Sequence, residues 1–212
     1  MLVGERMSKP VITISPDMPI SEALNLMKKE RIRRAPVVRD AKLVGIVSDK
    51  DLLNASPSPV TTLSIWEMNY LLSKVTVAQV MSPNVMTVTE DTPIEQAARI
   101  MADNKIGGLP VMRDGHVVGI ITETDLFKVF LELLGAREPG VRVTALIEDQ
   151  PGQLANITEA ISTRKGNFIS FGQFSSGKTN TKMVTFKVRG LSLDEVKTII
   201  SPVVKEILDI RS

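Results

Sequence analysis

Residues 45–51, Gly-Ile-Val-Ser-Asp-Lys-Asp, return 74 positions later as Gly-Ile-Ile-Thr-Glu-Thr-Asp at residues 119–125. Each stretch carries an apolar β run into a hydroxyl-x-x-Asp step, which predicts a strand ending where a helix begins. Ser48 or Thr122 then serves as the N-cap, with Asp51 or Asp125 as the acid three residues on. A capping box accounts for the spacing. It does not account for Asp in both places, because Asp reaches back to the cap less well than Glu or Gln.

Outward from these stretches the repetition continues. Residues 3–52 align with 77–126 without a gap, and 20 of the 50 positions are identical. A duplicated unit that cannot cover its own apolar face is expected to bury it against its copy. In each unit a Pro-bearing turn (Asp17-Met-Pro19, Asp91-Thr-Pro93) precedes apolar residues at helical spacing: Ile20, Ala23, Leu24 and Met27, then Ile94, Ala97, Ala98 and Met101. Two short β runs follow, Ala35–Val38 with Leu43–Val47 and Leu109–Met112 with Val117–Ile121, turning at Asp40 and at Asp114-Gly115. The unit reads β-α-β-β-α. Between the copies, Asn54-Ala-Ser-Pro-Ser-Pro59 is a linker, and Ser64-Ile-Trp-Glu67 opens a connecting helix to about Lys74. Its Trp66 and Tyr70 suit either a lid or simple packing.

The paired motif, the 74-residue duplication, a Met-Ser before each first strand and an x-Pro-Val strand start together resemble the tandem cystathionine-β-synthase (CBS) domain pair over residues ~1–135. The resemblance implies two units about a pseudo-twofold axis, with two clefts that take adenosine nucleotides. It assigns Ser48 and Asp51 to one cleft and Thr122 and Asp125 to the other. The carboxylate suits ribose hydroxyls, while the Ser/Thr hydroxyl and first helix amides suit phosphate. Lys50 and Thr124 are placed to reach phosphate. Adenine is expected near Val11–Thr13 or Val85–Thr87, against Ile32 and Ala35-Pro36 or Ile106 and Leu109-Pro110. Copy one has Arg33-Arg34 where copy two has Gly107-Gly108, so two unequal sites are expected, the more anionic ligand going where both arginines face.

Composition removes other classes. The chain of 212 residues has no cysteine and one histidine, which excludes disulfides, thiolate metal sites and imidazole-rich zinc centres. His116, beside a hairpin turn, is expected to be solvated. The net charge of +2 comes with no basic stripe and few aromatics, which argues against nucleic acid. No apolar run approaches a membrane span, and Met-Leu-Val-Gly-Glu-Arg-Met has charges where a signal peptide is apolar, so the expectation is cytoplasmic.

Beyond Ala136-Arg-Glu-Pro-Gly140 the pattern changes. Val141, Val143, Ala145 and Ile147 alternate as a strand; Leu154, Ile157, Ala160 and Ile161 predict a helix ended by Gly166. Strands over 167–174 and 181–188, a helix capped by Ser192 with Glu195, and a strand near 207–210 complete βαββαβ. With Asp149-Gln150-Pro-Gly152-Gln153-Leu154 at the first turn, this part resembles the ACT domain, a ferredoxin-like module. The resemblance implies a small amino acid at that turn, or dimerisation. The predicted fold class is therefore α+β, with domains at 1–75, 76–136 and 140–212. Gly172-Gln-Phe-Ser-Ser-Gly-Lys178-Thr179 matches the phosphate loop G-x-x-x-x-G-K-[ST], but β-branched residues follow it where a helix is required, so a hairpin is predicted.

The functional expectation is a non-catalytic, homodimeric sensor of AMP, ADP or ATP, with S-adenosylmethionine as a further ligand and no required cofactor. Domain order and length are similar to bacterial acetoin-utilisation accessory proteins, implying control of a metabolic enzyme. The alternatives are a constitutive scaffold with vacant clefts and a small hydrolase using Gly172–Thr179.

Overall fold

The computed structural model describes residues 1–55 and 74–212. The connecting helix predicted from Ser64, with Trp66 and Tyr70, lies outside them. The chain divides into two compact units, Met1–Leu126 and Phe127–Ser212.

In the first unit a short helix α1 (Val3–Arg6) precedes α2 (Ile20–Lys29), β1 (Arg34–Arg39), β2 (Lys42–Ser48) and α3 (Asp49–Asn54). The second copy gives β3 (Val88–Thr89), α4 (Ile94–Asn104), β4 (Gly108–Arg113), β5 (His116–Thr122) and α5 (Glu123–Leu133). The predicted apolar stripes face inward: Ile20, Ala23 and Met27 are buried, as are Ile94, Ala97 and Met101. The hairpins match residue for residue under the 74-residue shift. Arg34 pairs with Ser48 and Gly108 with Thr122, and each ladder slips at the same place, between Val37 and Val38 or Val111 and Met112. Both turns place positive φ at their two central residues, 48° and 63° at Asp40-Ala41 and 50° and 80° at Asp114-Gly115, as the tightest hairpin connection demands. His116 is exposed.

The first strand of each unit lies later than expected. In copy one, parallel pairing is a single bridge from Ile14 to Val37, and in copy two it is the two residues of β3 beside β4. Val11–Thr13 and Val85–Thr87 precede the pairing rather than forming it.

The opening segments are exchanged. Ser8 pairs with Ile120 of the other copy, by bonds of 2.9 and 3.2 Å, and Ser82 pairs with Ile46, at 2.9 and 3.0 Å. Val77, in the 3-10 turn Val77–Gln79, is fully buried within the copy-one core beside Ile14, Ile20 and Val37, a burial worth about 1.5–3 kcal/mol. Each copy's sheet therefore gains a segment from the other, and neither buries its apolar face alone.

The second unit contains β6 (Val141–Glu148), α6 (Gln153–Thr163), β7 (Asn167–Ser175), β8 (Thr181–Arg189), α7 (Leu193–Ile200) and β9 (Glu206–Arg211). The strands form one antiparallel sheet in the order β7-β8-β6-β9. Its core joins Val143, Ala145, Ile147, Val184, Phe186 and Val188 of the sheet to Ile157, Ile161, Val196 and Ile200 of the helices. Leu154, predicted to face that core, is exposed: it sits in the first turn of α6, ahead of the buried pair Ile157 and Ile161.

Candidate functional site

Ser48 leaves β2 in an extended conformation (φ −111°, ψ 161°) and caps α3. The Ser48 amide and hydroxyl donate to Asp51 Oδ2 at 2.9 and 2.7 Å, and the Asp51 amide donates to Ser48 Oγ at 3.2 Å. Copy two repeats the arrangement: Thr122 N and Oγ1 donate to Asp125 Oδ2 at 3.0 and 2.7 Å. The capping box is complete in copy one, and copy two shows its carboxylate half. It engages one carboxylate oxygen of each Asp, and the copies differ in what surrounds the other.

Asp51 borders a cavity of about 460 Å³. Ser48 and Asp51 form one wall, the opening segment of copy two (Ser82, Asn84, Val85, Met86) a second, and Lys105–Gly108 a third; Arg34 closes the rim. Asp125 is only 5% exposed, and Ser8 Oγ lies 3.5 Å from its Oδ1. The cavity is shared between copies because the opening segments are exchanged.

The two arginines part company. Arg34 stands at the start of β1 and donates to the Gly107 carbonyl at 3.1 Å, with Glu123 at 4.0 Å. Arg33 donates to Thr124 Oγ1 at 3.1 Å. The expectation that both face one site is corrected: neighbouring residues entering a strand point to opposite sides. Gly107 is why Arg34 fits. A Cβ there would collide with the Arg34 guanidinium and with the Glu123 carboxylate.

Of the sequence-predicted residues, the structure brings Ser48, Asp51, Val85, Ile106 and Arg34 around one cavity. Thr122 and Asp125 stand at the equivalent place in copy two. Lys50, Thr13 and Thr87 are exposed and do not line this cavity; Pro36 and Pro110 are buried in β1 and β4, and half-buried Ile32 packs on the copy-one core. Met86 falls within the expected Val85–Thr87 stretch, whereas Ser82 and Asn84 are lining residues that the sequence reading does not include. The Met-Ser repeat could have pointed to Ser82, had the exchange been known.

In the second unit, Asp149 lies 3.4 Å from Lys182 Nζ, and Gly152 caps α6 at φ 88°. No atom stands within 4 Å of a Cβ at Gly152, so its backbone angle rather than crowding calls for glycine. Gln150, Gln153 and Leu154 continue this turn into the helix. Gly172–Thr179 runs from β7 into the hairpin turn. Gly177 adopts φ 70°, Ser176 Oγ meets Thr181 Oγ1 at 2.7 Å, and β8 rather than a helix follows Lys178. A phosphate loop aims its lysine with the helix it opens, so this motif is a hairpin. Among the described residues, no three His, Cys, Asp or Glu side chains are placed to hold a metal ion, and no helix is long and apolar enough to cross a membrane.

The CBS domain family model matches residues 3–58 and 77–132, the two copies of the repeat. The chain belongs to the CBS-domain family. Solved structures share the pair. The CBS domain pair of protein MJ0100, in complex with 5′-methylthioadenosine and S-adenosyl-L-methionine, is 33% identical, with a TM-score of 0.52 over 65% of this chain and 98% of that one. CBSX2 in complex with AMP, a protein whose curated form is chloroplastic in Arabidopsis thaliana, is 30% identical, with a TM-score of 0.52 over 62% of this chain and 97% of its own. A Vibrio cholerae protein assigned to acetoin utilization is 31% identical, with a TM-score of 0.53 over 65% of this chain and 96% of its own.

Proposed function

We propose that this chain is a non-catalytic regulatory protein whose CBS pair binds an adenosine nucleotide in the cavity lined by Ser48, Asp51, Val85 and Ile106, with Arg34 at its rim. The observation that carries the reading is Asp51 Oδ1. The cap engages Oδ2 and leaves this oxygen without a hydrogen bond among the described residues, and Asp51 lines a cavity of about 460 Å³, within the size range of small-ligand sites. A carboxylate accepts two vicinal ribose hydroxyls, the Arg34 fork suits a phosphate, and Val85, Met86 and Ile106 offer apolar walls to a purine. The ligands named for the MJ0100 pair and for CBSX2 share an adenosine. AMP, ADP or ATP fits the cationic rim best, with S-adenosylmethionine as a further ligand. A ligand that favours one arrangement of the two copies shifts their orientation, which is a regulatory output.

The second unit we read as an ACT-type, ferredoxin-like module that joins subunits into a homodimer or takes a small amino acid near Asp149–Leu154. Its β-α-β-β-α-β order and sheet order β7-β8-β6-β9 support this reading. The likeness to the Vibrio cholerae protein supports a role in controlling a metabolic enzyme, with acetoin utilisation as the first pathway to examine, in the cytoplasm.

Titration calorimetry with AMP, ATP, adenosine and S-adenosylmethionine tests the nucleotide site. The expected result is saturable heat with at least one of them and a loss of about 10–100-fold in affinity on Asp51→Asn, the scale of hydrogen bonds to a charged group. Absence of heat with all four overturns the reading and favours a constitutive scaffold.

A further inference from the structure

The rim of the cavity holds both signs of charge. Arg34 Nη1 lies 4.0 Å from Oε2 of Glu123, the residue that opens α5, and the two side chains are 30% and 54% exposed. Gly107, which lines the cavity, makes room for them: guanidinium and carboxylate converge on the space where its Cβ would stand. The cap of α5 uses Asp125 and leaves Glu123 aside. Among the described residues, the Glu123 carboxylate accepts no hydrogen bond and faces only Arg34. An exposed pair at this distance adds little to stability, so stability does not explain the carboxylate.

Nor does the local fold. Under the 74-residue shift Gly107 and Glu123 correspond to Arg33 and Asp49, and the backbones make the same bond in both copies. The Glu123 amide donates to the Gly107 carbonyl at 3.2 Å, and the Asp49 amide to the Arg33 carbonyl at 3.1 Å. In copy one the shorter Asp49 accepts from the Lys50 amide at 2.8 Å. The strand-to-helix joint thus forms with either acid, and only the longer one in copy two reaches the rim.

We infer that Glu123 is a specificity-determining residue of the nucleotide site, opposing an anionic 5′ group and favouring a zwitterionic one. The inference rests on the nucleotide reading above and states how that site weighs one adenosine ligand against another. A 5′-phosphate that takes the Arg34 fork brings a charge of about −1.5 to −2 to a guanidinium that already has a carboxylate beside it. A ligand ending in a carboxylate and an ammonium, as S-adenosylmethionine does, meets a complementary pair instead: its carboxylate faces Arg34 and its ammonium faces Glu123. Adenosine brings no charge. Glu123 thereby tempers the preference for phosphate that Arg34 and Lys105, a second cation lining the cavity, create.

Calorimetry on the full chain with adenosine, AMP and S-adenosylmethionine, wild type against Glu123→Gln, tests this. Gln keeps the side-chain length and leaves the Thr122–Asp125 cap intact. AMP should bind the variant about two- to tenfold more tightly and S-adenosylmethionine about two- to tenfold more weakly, the scale of a partly exposed charge pair. Adenosine affinity should stay unchanged, and both shifts should shrink at high salt. Opposite signs from one substitution separate a charge read by the ligand from damage to the fold, which weakens all three. Where only one of the charged ligands binds wild type, its own expected sign decides. Unchanged affinities, or changes of the same sign, overturn the role of Glu123 and leave the nucleotide site standing. Heat from adenosine alone also overturns it, because no charged end is then read at the rim. No heat from wild type with any of the three overturns the site and this inference together.

Discussion

Arg34 and Gly107 share one space, and that exchange sets the polarity of the candidate site. Arg34 donates to the Gly107 carbonyl, and a methyl group at Gly107 would meet its guanidinium. Gly107→Ala should therefore turn Arg34 away from the rim while leaving Asp51 and the apolar walls in place. AMP binding is expected to weaken by about 10–100-fold, the scale of a lost charge-assisted contact, with adenosine binding little changed. Calorimetry with the two ligands measures this, and equal losses for both would remove Arg34 from phosphate recognition. The sequence made Ser48 and Asp51 legible because the same residue types recur at the same spacing in both copies. It did not separate Arg33 from Arg34. Both are arginine, and only the backbone at the start of β1 decides that one meets Gly107 and the other Thr124.

At the scale of elements, hairpins, helices and caps follow their local patterns closely, down to Ser192 and Glu195 at the start of α7. The Ser192 hydroxyl, at 2.7 Å, and amide, at 2.8 Å, donate to the Glu195 carboxylate and hold its pKa below the ordinary glutamate value. A lowered folded pKa means the ionised group stabilises the fold above its unfolded pKa, and that contribution is lost as pH falls through the folded value. Glu195→Gln keeps the reciprocal cap but removes the titration, so its thermal midpoint should fall less steeply than wild type between neutral and acidic pH. Asp209, held low by Arg211 and Arg142, leaves an acid limb in both proteins. Parallel wild-type and variant slopes would show that the cap does not depend on this charge. What local patterns did not convey is the exchange of opening segments. Met7-Ser8 and Met81-Ser82 have the same residues, and nothing within either says which sheet it joins. The reason is visible only in three dimensions: Gly45 and Gly119 leave room for the sulfur of the other copy's methionine, Met81 and Met7 respectively.

For the molecule as a whole, duplication produced two hydroxyl-x-x-Asp steps and divergence made their surroundings unequal. Asp51 faces open space with Arg34 at the rim, whereas Asp125 is 5% exposed, engages Ser8 at 3.5 Å and has Arg33 tied to its neighbour Thr124. Ligand entry beside Asp125 must first break these contacts; among the described residues, entry beside Asp51 displaces Arg34 from the Gly107 carbonyl and from Glu123, contacts that a phosphate replaces. One nucleotide per chain is therefore expected at saturation, with Asp51→Asn lowering its affinity by about 10–100-fold and Asp125→Asn preserving affinity and stoichiometry. Asp125→Ala, which removes a buried acceptor from Thr122, should instead lower stability by about 1–3 kcal/mol in denaturant unfolding. Two nucleotides per chain, or equal losses from the two Asp→Asn variants, would mean that the pseudo-twofold symmetry of the sequence outweighs the asymmetry of the structure.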